Sequence, residues 1–332
     1  MNCPISSLPG LLVLALLLFL PLSLSAAQPL PISTSDLPDP SYLFAYFIGN
    51  GEDGLHLAWS RDSLAWEALG EGKSYLQPKV GESKLMRDPC ILQGPDGIFH
   101  MVWTTSWEGK TIGYASSRDL IQWSAQKAVP VMAHEPDTQN CWAPEVIWDA
   151  KARHFLIFWS ATILGRFPET HLSGSRPNRN HRIYSTNTSD FVSFSTARLH
   201  YDGGFNVIDA TLVSNDGAWL MFLKNETEKP KPEKNVRLVR AGSSDGPFSP
   251  PSSPITGDYW AEGPTAIKVG EFWQVYFDKY RERRYGMVRS RDLETWEDWS
   301  DRVSFPDGAR HGTVLTVPAK IVSALLGPDN SL

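Results

Sequence analysis

One short turn recurs five times along this 332-residue chain, and that recurrence restricts the fold more than any other feature. It reads "SRDSLAW" at 60–66, "SRDLIQW" at 117–123, "TSDFVSF" at 188–194 and "SRDLETW" at 290–296, with "SSDGPF" at 243–248 as a shortened copy. Ser or Thr and Asp fold such a turn through side-chain-to-backbone hydrogen bonds, and the aromatic that follows starts the next strand. Strand-like runs precede the copies, among them "LHLAW", "TIGYAS", "HRIYST", "VRLVRAG" and "YGMVRS". Before those lie longer apolar runs such as "GIFHMVWTTSW", "RHFLIFWSA", "GAWLMFLKN" and "EFWQVYFDKY". Alternating, aromatic-rich runs between Gly, Asp and Pro turns read as β-strands. A repeat of about 50–60 residues is the size of a four-stranded blade with its loops. The chain is therefore expected to be all-β, a five-bladed β-propeller with four-stranded antiparallel blades around a central channel. A β-sandwich with coincidental turns is the competing architecture. The first copy has one clear strand pair before it, and "RHGTVLTV" (310–317) stands alone, so these two are expected to share a blade and close the ring.

A second phased series opens the blades: "RDPCIL" from Arg87, "WAPEVI" from Trp142, "IDATLV" from Ile208 and "AEGPTAI" from Ala261. Each carries an acid at or near the start of an innermost strand, and such starts lie at one mouth of the channel. Asp88, Glu145, Asp209 and Glu262 are thus expected to converge there. Convergent carboxylates repel one another unless protonated or bound to something, which calls for a functional explanation. Glu262 stands between Trp260 and Gly263-Pro264, surroundings expected to strip its water, raise its proton affinity and leave it a proton donor.

Charge and composition narrow the partners. A net charge of −6 gives no basic footprint, so no nucleic-acid partner is expected. Thirteen tryptophans are compatible with a carbohydrate site, since sugar rings present apolar C–H faces, but do not demand one. "LLVLALLLFLPLSLSAAQ" (11–28) reads as a signal peptide over 1–27, without Lys or Arg ahead of its apolar core, and secretion follows. A linker over 28–40, a propeller over 41–320 and a C-terminal tail over 321–332 complete the expected organisation. Cys90 and Cys141 remain after cleavage, and spacing leaves open whether they pair. Asn187 and Asn225 match the glycosylation sequon, which matters only in a eukaryotic secretory pathway.

The ordered series "RDPCI", "WAPEV", "VIDATLV", "AEGP" and "RHG" resembles glycoside hydrolase family 43, over nearly all of the mature chain from Leu43 to Val317. The resemblance implies a glycosidase on a five-bladed propeller, hydrolysing with inversion. It assigns Asp88 as the base that activates water, Asp209 as the carboxyl that orients and tunes the acid, and Glu262 as the general acid. The chain departs from the family at Ile-Asp-Ala, where Ile-Asp-Pro is usual, and at Glu145. Either Asp88 or Glu145 activates the water on this evidence, and Glu145 has a role in binding a sugar hydroxyl or in structure as alternatives. At His311 the resemblance implies a contact through water to a structural Ca²⁺ in the channel, with a hydrogen-bonded structural histidine as the alternative, and no cofactor is required for the chemistry.

Trp142 and Trp107 are the expected stacking platforms for sugar, with Arg310 and the weaker Phe205 and Tyr280 as further contacts. The long insertion 162–183 is expected to overhang the pocket and bring Arg166 or His181 to the sugar. "NETEKPKPEKN" (225–235) reads as a solvated hairpin loop. The resemblance implies an enzyme releasing terminal α-L-arabinofuranosyl, β-xylosyl or β-galactosyl residues from plant-type oligo- or polysaccharide, and a monomer is expected. A non-catalytic carbohydrate-binding propeller is the alternative, and it predicts a missing acid.

Overall fold

The computed structural model describes Met1 and residues 37–171 and 179–327. The expected signal segment and most of the linker lie outside the described residues. Five antiparallel sheets are arranged as the blades of a propeller. Blade 1 contains β1 (Ser41–Phe47), β2 (His56–Ser60) and β3 (Glu67–Ala68), with β19 (Arg310–Val317) paired inside β1. The isolated C-terminal run and the first strand pair thus share one blade, as expected, and close the ring. Blade 2 is β4 (Arg87–Gln93), β5 (Phe99–Thr104), β6 (Ile112–Ser117) and β7 (Lys127–Val129). Blade 3 is β8 (Trp142–Asp149), β9 (His154–Ala161), β10 (Arg182–Thr188) and β11 (Arg198–Tyr201). Blade 4 is β12 (Val207–Asn215), β13 (Ala218–Asn225) and β14 (Asn235–Ala241); blade 5 is β15 (Glu262–Val269), β16 (Phe272–Lys279), β17 (Arg284–Ser290) and β18 (Glu297–Asp298).

Blade 4 departs from the four-stranded expectation among the described residues. Outside β14 runs "GPFSPPSSPI", where Ser249, Ser252 and Ile255 donate backbone N–H groups to Arg240, Leu238 and Val236. The prolines between them have no N–H, so the ladder is broken into isolated bonds and only the Ala241–Phe248 bridge survives.

The repeated turn is built as its sequence dictates. Asp62 Oδ1 accepts the N–H groups of Leu64 and Ala65 at 2.8 and 2.9 Å, and Asp119, Asp190 and Asp292 do the same in their copies. These bonds hold Ser63, Leu120, Phe191 and Leu293 at positive φ. In the shortened copy Asp245 turns outward to Arg198 instead. The aromatics that follow each turn, Trp66, Trp123, Phe194, Phe248 and Trp296, join five different apolar clusters. Each cluster fills the gap between two consecutive blades; Leu57 and Trp59 of blade 1, for example, meet Met101 and Trp103 of blade 2. The segment read as a tail begins within a helix, α1 (Ala319–Leu326), whose Ile321, Val322 and Leu325 join the blade 1–2 cluster.

The innermost strands β4, β8, β12, β15 and β19 surround the channel, each touching the next. Their inner edges have no further strand to pair with, so their backbone groups need other partners. Cys90 Sγ accepts from Val146 N across blades 2 and 3 at 3.5 Å. Glu145 takes the Leu212 N–H across blades 3 and 4. Gly263 N donates to Asp209 Oδ2 across blades 4 and 5 at 3.1 Å. Val314 N donates to Thr265 Oγ1 across blades 5 and 1, and Thr313 Oγ1 donates to Pro89 O across blades 1 and 2, both at 3.0 Å. Every junction carries at least one such latch.

The Thr265→Val variant keeps the shape of the side chain and leaves the buried Val314 N–H without its acceptor. It should lower unfolding stability by about 1–3 kcal/mol, while Thr265→Ser stays near wild type. Urea denaturation checks this, and equal midpoints for Val and wild type would remove the latch from the account of ring closure.

Candidate active site

Each innermost strand opens with a β-bulge. The pairing skips between Arg87 and Cys90, Trp142 and Glu145, Ile208 and Thr211, and Glu262 and Thr265. A similar skip in β19 lies opposite Ala45–Phe47. The second residue of four of these bulges has positive φ: Asp88 at 51°, Ala143 at 47°, Asp209 at 51° and Gly263 at 58°. A bulge re-aims side chains and tightens the strand's twist. Positive φ is strained for residues other than Gly, though Asp tolerates it better than most. Gly263 is set apart from its counterparts by space, because a Cβ there would lie 2.4 Å from His311 Cγ.

This register corrects the expectation that four acids share one place. Glu262 is the first residue of its bulge, Asp88 and Asp209 are the second, and Glu145 is the fourth, beside the inner-edge latches. Glu145 is 7% exposed and does not line the cavity. It faces Thr211 and the Leu212 N–H inside the channel, and burial pushes its carboxyl up to about 8.

The other three acids do come together. A cavity of about 850 Å³ at the mouth of the channel is lined by Asp88, Asp209 and Glu262, with Arg310 and His311 between them. His311 Nδ1 lies 3.3 Å from Asp88 Oδ1 and 3.9 Å from Asp209 Oδ2. Thr104 Oγ1 donates to Asp88 Oδ2 at 2.7 Å and accepts the Ala143 N–H at 2.7 Å, which ties this carboxylate to the neighbouring blade. Asp209 N donates to Ser160 Oγ at 3.0 Å, the equivalent bond one blade on. Arg87, next to Asp88 in sequence, donates to Asn50 Oδ1, and its guanidinium lies over the rings of Phe47 and Trp107.

Both expected platforms line the cavity. Trp107 and Trp142 meet edge to face, their ring centroids 5.7 Å apart, and the Trp142 indole N–H donates to Trp107 O. Trp107 is 48% exposed, a large open ring in a cleft. Tyr280 and His181 also line the wall. Phe205 does not: it packs against Tyr201 in the cluster between blades 3 and 4. Arg166 is paired with Glu135 away from the cavity. Residues 172–178 of the insertion lie outside the described residues.

Charge distribution overturns the desolvation argument for Glu262. Burial does push its carboxyl upward, but Lys224 Nζ at 3.0 Å from Oε2 and Arg310 at 3.2 Å from Oε1, with His311 nearby, outweigh burial and hold it below the ordinary glutamate value. Asp209 is the carboxyl that rises, to about 6, through burial, with the charges of Glu262 and Asp88 adding to it and His311 and Lys224 opposing. Asp278, the cross-strand partner of Glu262, is also pushed up to about 6 by burial and by Glu262, although Arg310 Nε binds its Oδ2 at 2.6 Å.

Sequence reasoning missed Lys224, which is 1% exposed at the end of β13. A lysine closing the otherwise apolar "WLMFLK" was the available signal, because a buried ammonium must be paired. The loop expected to be solvated folds back toward it. Glu226 Oε2 lies 2.7 Å from Lys224 Nζ, and Lys234 Nζ binds Glu226 Oε1 at 2.6 Å and Glu228 at 3.4 Å. Where the resemblance implies a calcium, His311 Nδ1 lies beside the Asp88 and Asp209 carboxylates, and no group of three or more His, Cys, Asp and Glu able to hold a metal ion occurs among the described residues. Cys90 and Cys141 are both free and buried.

Three carboxyl groups at one mouth of a propeller channel, beside open tryptophan faces, define a site of the glycosidase type. A family model described as a probable glycosyl hydrolase domain, related to glycoside hydrolase family 43, matches residues 38–322, and the chain belongs to that family. An α-L-arabinofuranosidase of Bifidobacterium longum subsp. longum is 22% identical over 280 residues, covering 70% of this chain and 25% of the relative. The chain thus spans a quarter of that protein's length. Among solved structures, a thermostable family-43 glycoside hydrolase is similar with a TM-score of 0.52 at 18% identity, over 70% of this chain and 80% of that one. The α-L-arabinofuranosidase of Lactobacillus brevis has a TM-score of 0.50 at 14% identity, over 70% and 90%. These likenesses are likenesses of fold.

The raised proton affinity of Glu145 has a consequence for stability. Its ordinary value is 4.5 and its folded value about 8, so between these the folded chain binds more protons than the unfolded one. Stability therefore falls as pH rises through that window. Glu145→Gln should remove this decline, so its stability relative to wild type grows from pH 5 to pH 8 in denaturation measured at each pH. A constant difference would place the charged form at neutral pH instead.

Proposed function

We propose that this chain is an inverting glycoside hydrolase that releases terminal sugars, with α-L-arabinofuranosyl as the leading glycone. The observation that carries the reading is the meeting of Asp88, Asp209 and Glu262 in one cavity with His311 between two of them. The name of the Bifidobacterium relative supports the choice of sugar; β-xylosyl and β-galactosyl are the other outcomes to be tested. Substrate enters against Trp107 and Trp142. Asp88 takes a proton from water as the water oxygen bonds to the anomeric carbon. The bond from that carbon to the leaving oxygen breaks, and Glu262 donates its proton to that oxygen. Asp209, fixed by the Gly263 N–H, stands beside the acid and keeps its bulge in place. Inversion requires base and acid to stand roughly 6.5–9.5 Å apart, so that water fits between base and sugar. Action as an exported monomer, with residues 1–27 removed, belongs to the same proposal.

The resting Glu262 faces two cations and must be protonated to act. The donor-competent fraction therefore rises as pH falls, and hydrolysis should be favoured on the acidic side and decline toward neutrality. Aryl glycosides and arabinan, xylan and galactan oligosaccharides form the test panel. Glu262→Gln should lower kcat by about 10²–10⁴-fold, and proton NMR should show the first-formed product with the opposite anomeric configuration. Undiminished hydrolysis in the variant would reject the acid assignment, and a retained anomer would reject inversion. Glycan binding without turnover on any substrate would favour a binding propeller.

A further inference from the structure

We propose that Lys224 is a positioning residue that governs the proton held by Glu262, and that Glu226 is its counterweight. The inference deepens the reading of Glu262 as proton donor and rests on it for its catalytic meaning. Its structural basis is independent. Lys224 lies opposite Ile208 across the β12–β13 pair, almost wholly buried, where an ammonium persists only if it is paired. It has two carboxylate partners, Glu226 Oε2 at 2.7 Å and Glu262 Oε2 at 3.0 Å, and lies 4.7 Å from the centre of the Tyr280 ring. One cation is thus shared by two anions.

The other groups around Glu262 are committed elsewhere. Arg310, from β19, binds Glu262 Oε1 but also holds the buried Asp278 of β16. His311, also from β19, faces Asp88 of β4 and Asp209 of β12. Asp209 engages the backbone beside Glu262 through the Gly263 N–H. Glu226 differs from all of these, because it belongs to the β13–β14 loop and is gripped from that loop by Lys234. The loop therefore sets how much of Lys224 is available to Glu262.

Two substitutions should act in opposite directions. Lys224→Met removes the cation, so Glu262 should hold its proton to higher pH, by roughly 1–3 pH units. Glu226→Gln removes the competing anion and gives Lys224 to Glu262, so Glu262 should release its proton at lower pH. The measurement is a titration of side-chain carboxyl resonances in protein labelled with ¹³C-glutamate, with Glu262 assigned by its loss in Glu262→Gln. The alkaline limb of the kcat/KM profile should move the same way in each variant. Lys224→Arg, which keeps the charge, should leave the midpoint near wild type. Midpoints that move together, or not at all, overturn the inference, since damage to packing has no reason to reverse sign. If Lys224→Met does not fold, Glu226→Gln and Lys224→Arg decide: a downward move in the first with no move in the second supports the inference, and any other pair of results overturns it. Opposed shifts with hydrolysis persisting in Glu262→Gln would uphold the role of Lys224 and reject Glu262 as the donor.

Discussion

The inner edge of each innermost strand is the constraint from which the rest follows. No strand lies inside it, so its backbone groups must be satisfied by the next blade or be left unpaired in a buried channel. The chain uses a different residue at each junction: a thiol at Cys90, a carboxyl at Glu145, a carboxylate at Asp209, and hydroxyls at Thr265 and Thr313. Strand starts that lock to one another this way fix the mouth of the channel to within a hydrogen bond. The bulges that begin these strands also aim Asp88 and Asp209 into the cavity, so ring closure and site construction share one local device.

Above that ring the charges alternate. Glu228, Lys234, Glu226, Lys224, Glu262, Arg310 and Asp278 follow one another, each within 4 Å of the next. Such a chain explains why neighbouring carboxyls behave oppositely. Each oxygen of Glu262 faces a cation, and two attractions outweigh burial. Asp209 has a backbone N–H and a histidine at 3.9 Å, and burial wins. Partners contribute more to the difference than depth, although the Glu262 side chain is 21% exposed and that of Asp209 7%.

Much of this was legible in the sequence because it is local and repeated. The Ser-Asp turns need only their own backbone, the aromatic after each turn needs only a blade gap, and the shared first blade follows from counting strands. The site was legible as a set of acids but not as a geometry. A bulge adds one residue to one strand, which moves everything after it to the other face. Nothing in "WAPEV" or "AEGP" states that Glu145 is the fourth residue of its bulge and Glu262 the first. Phe205 failed for a similar reason: an aromatic near a strand start reads as a platform until its tertiary neighbour, Tyr201, is known. The β13–β14 loop misled through composition, since its charges look solvated in sequence but find one another in space.

Trp260 illustrates the general error in inferring protonation from a hydrophobic neighbour. In sequence it promises a dry wall beside Glu262. In the structure the Arg281 guanidinium lies 3.4 Å from its ring centre and the Lys234 ammonium 5.4 Å from it. An indole face attracts cations as well as excluding water, so the ring expected to dry the site also draws positive charge to its own face. The same holds for Tyr280, whose ring stands by Lys224 and near Trp260. Aromatic walls in a site rich in Lys and Arg therefore act on an acid in two opposing ways. At Glu262 the cations that bear on it, Lys224 and Arg310, prevail over burial, so in the proposed donor role its proton has to be won against them.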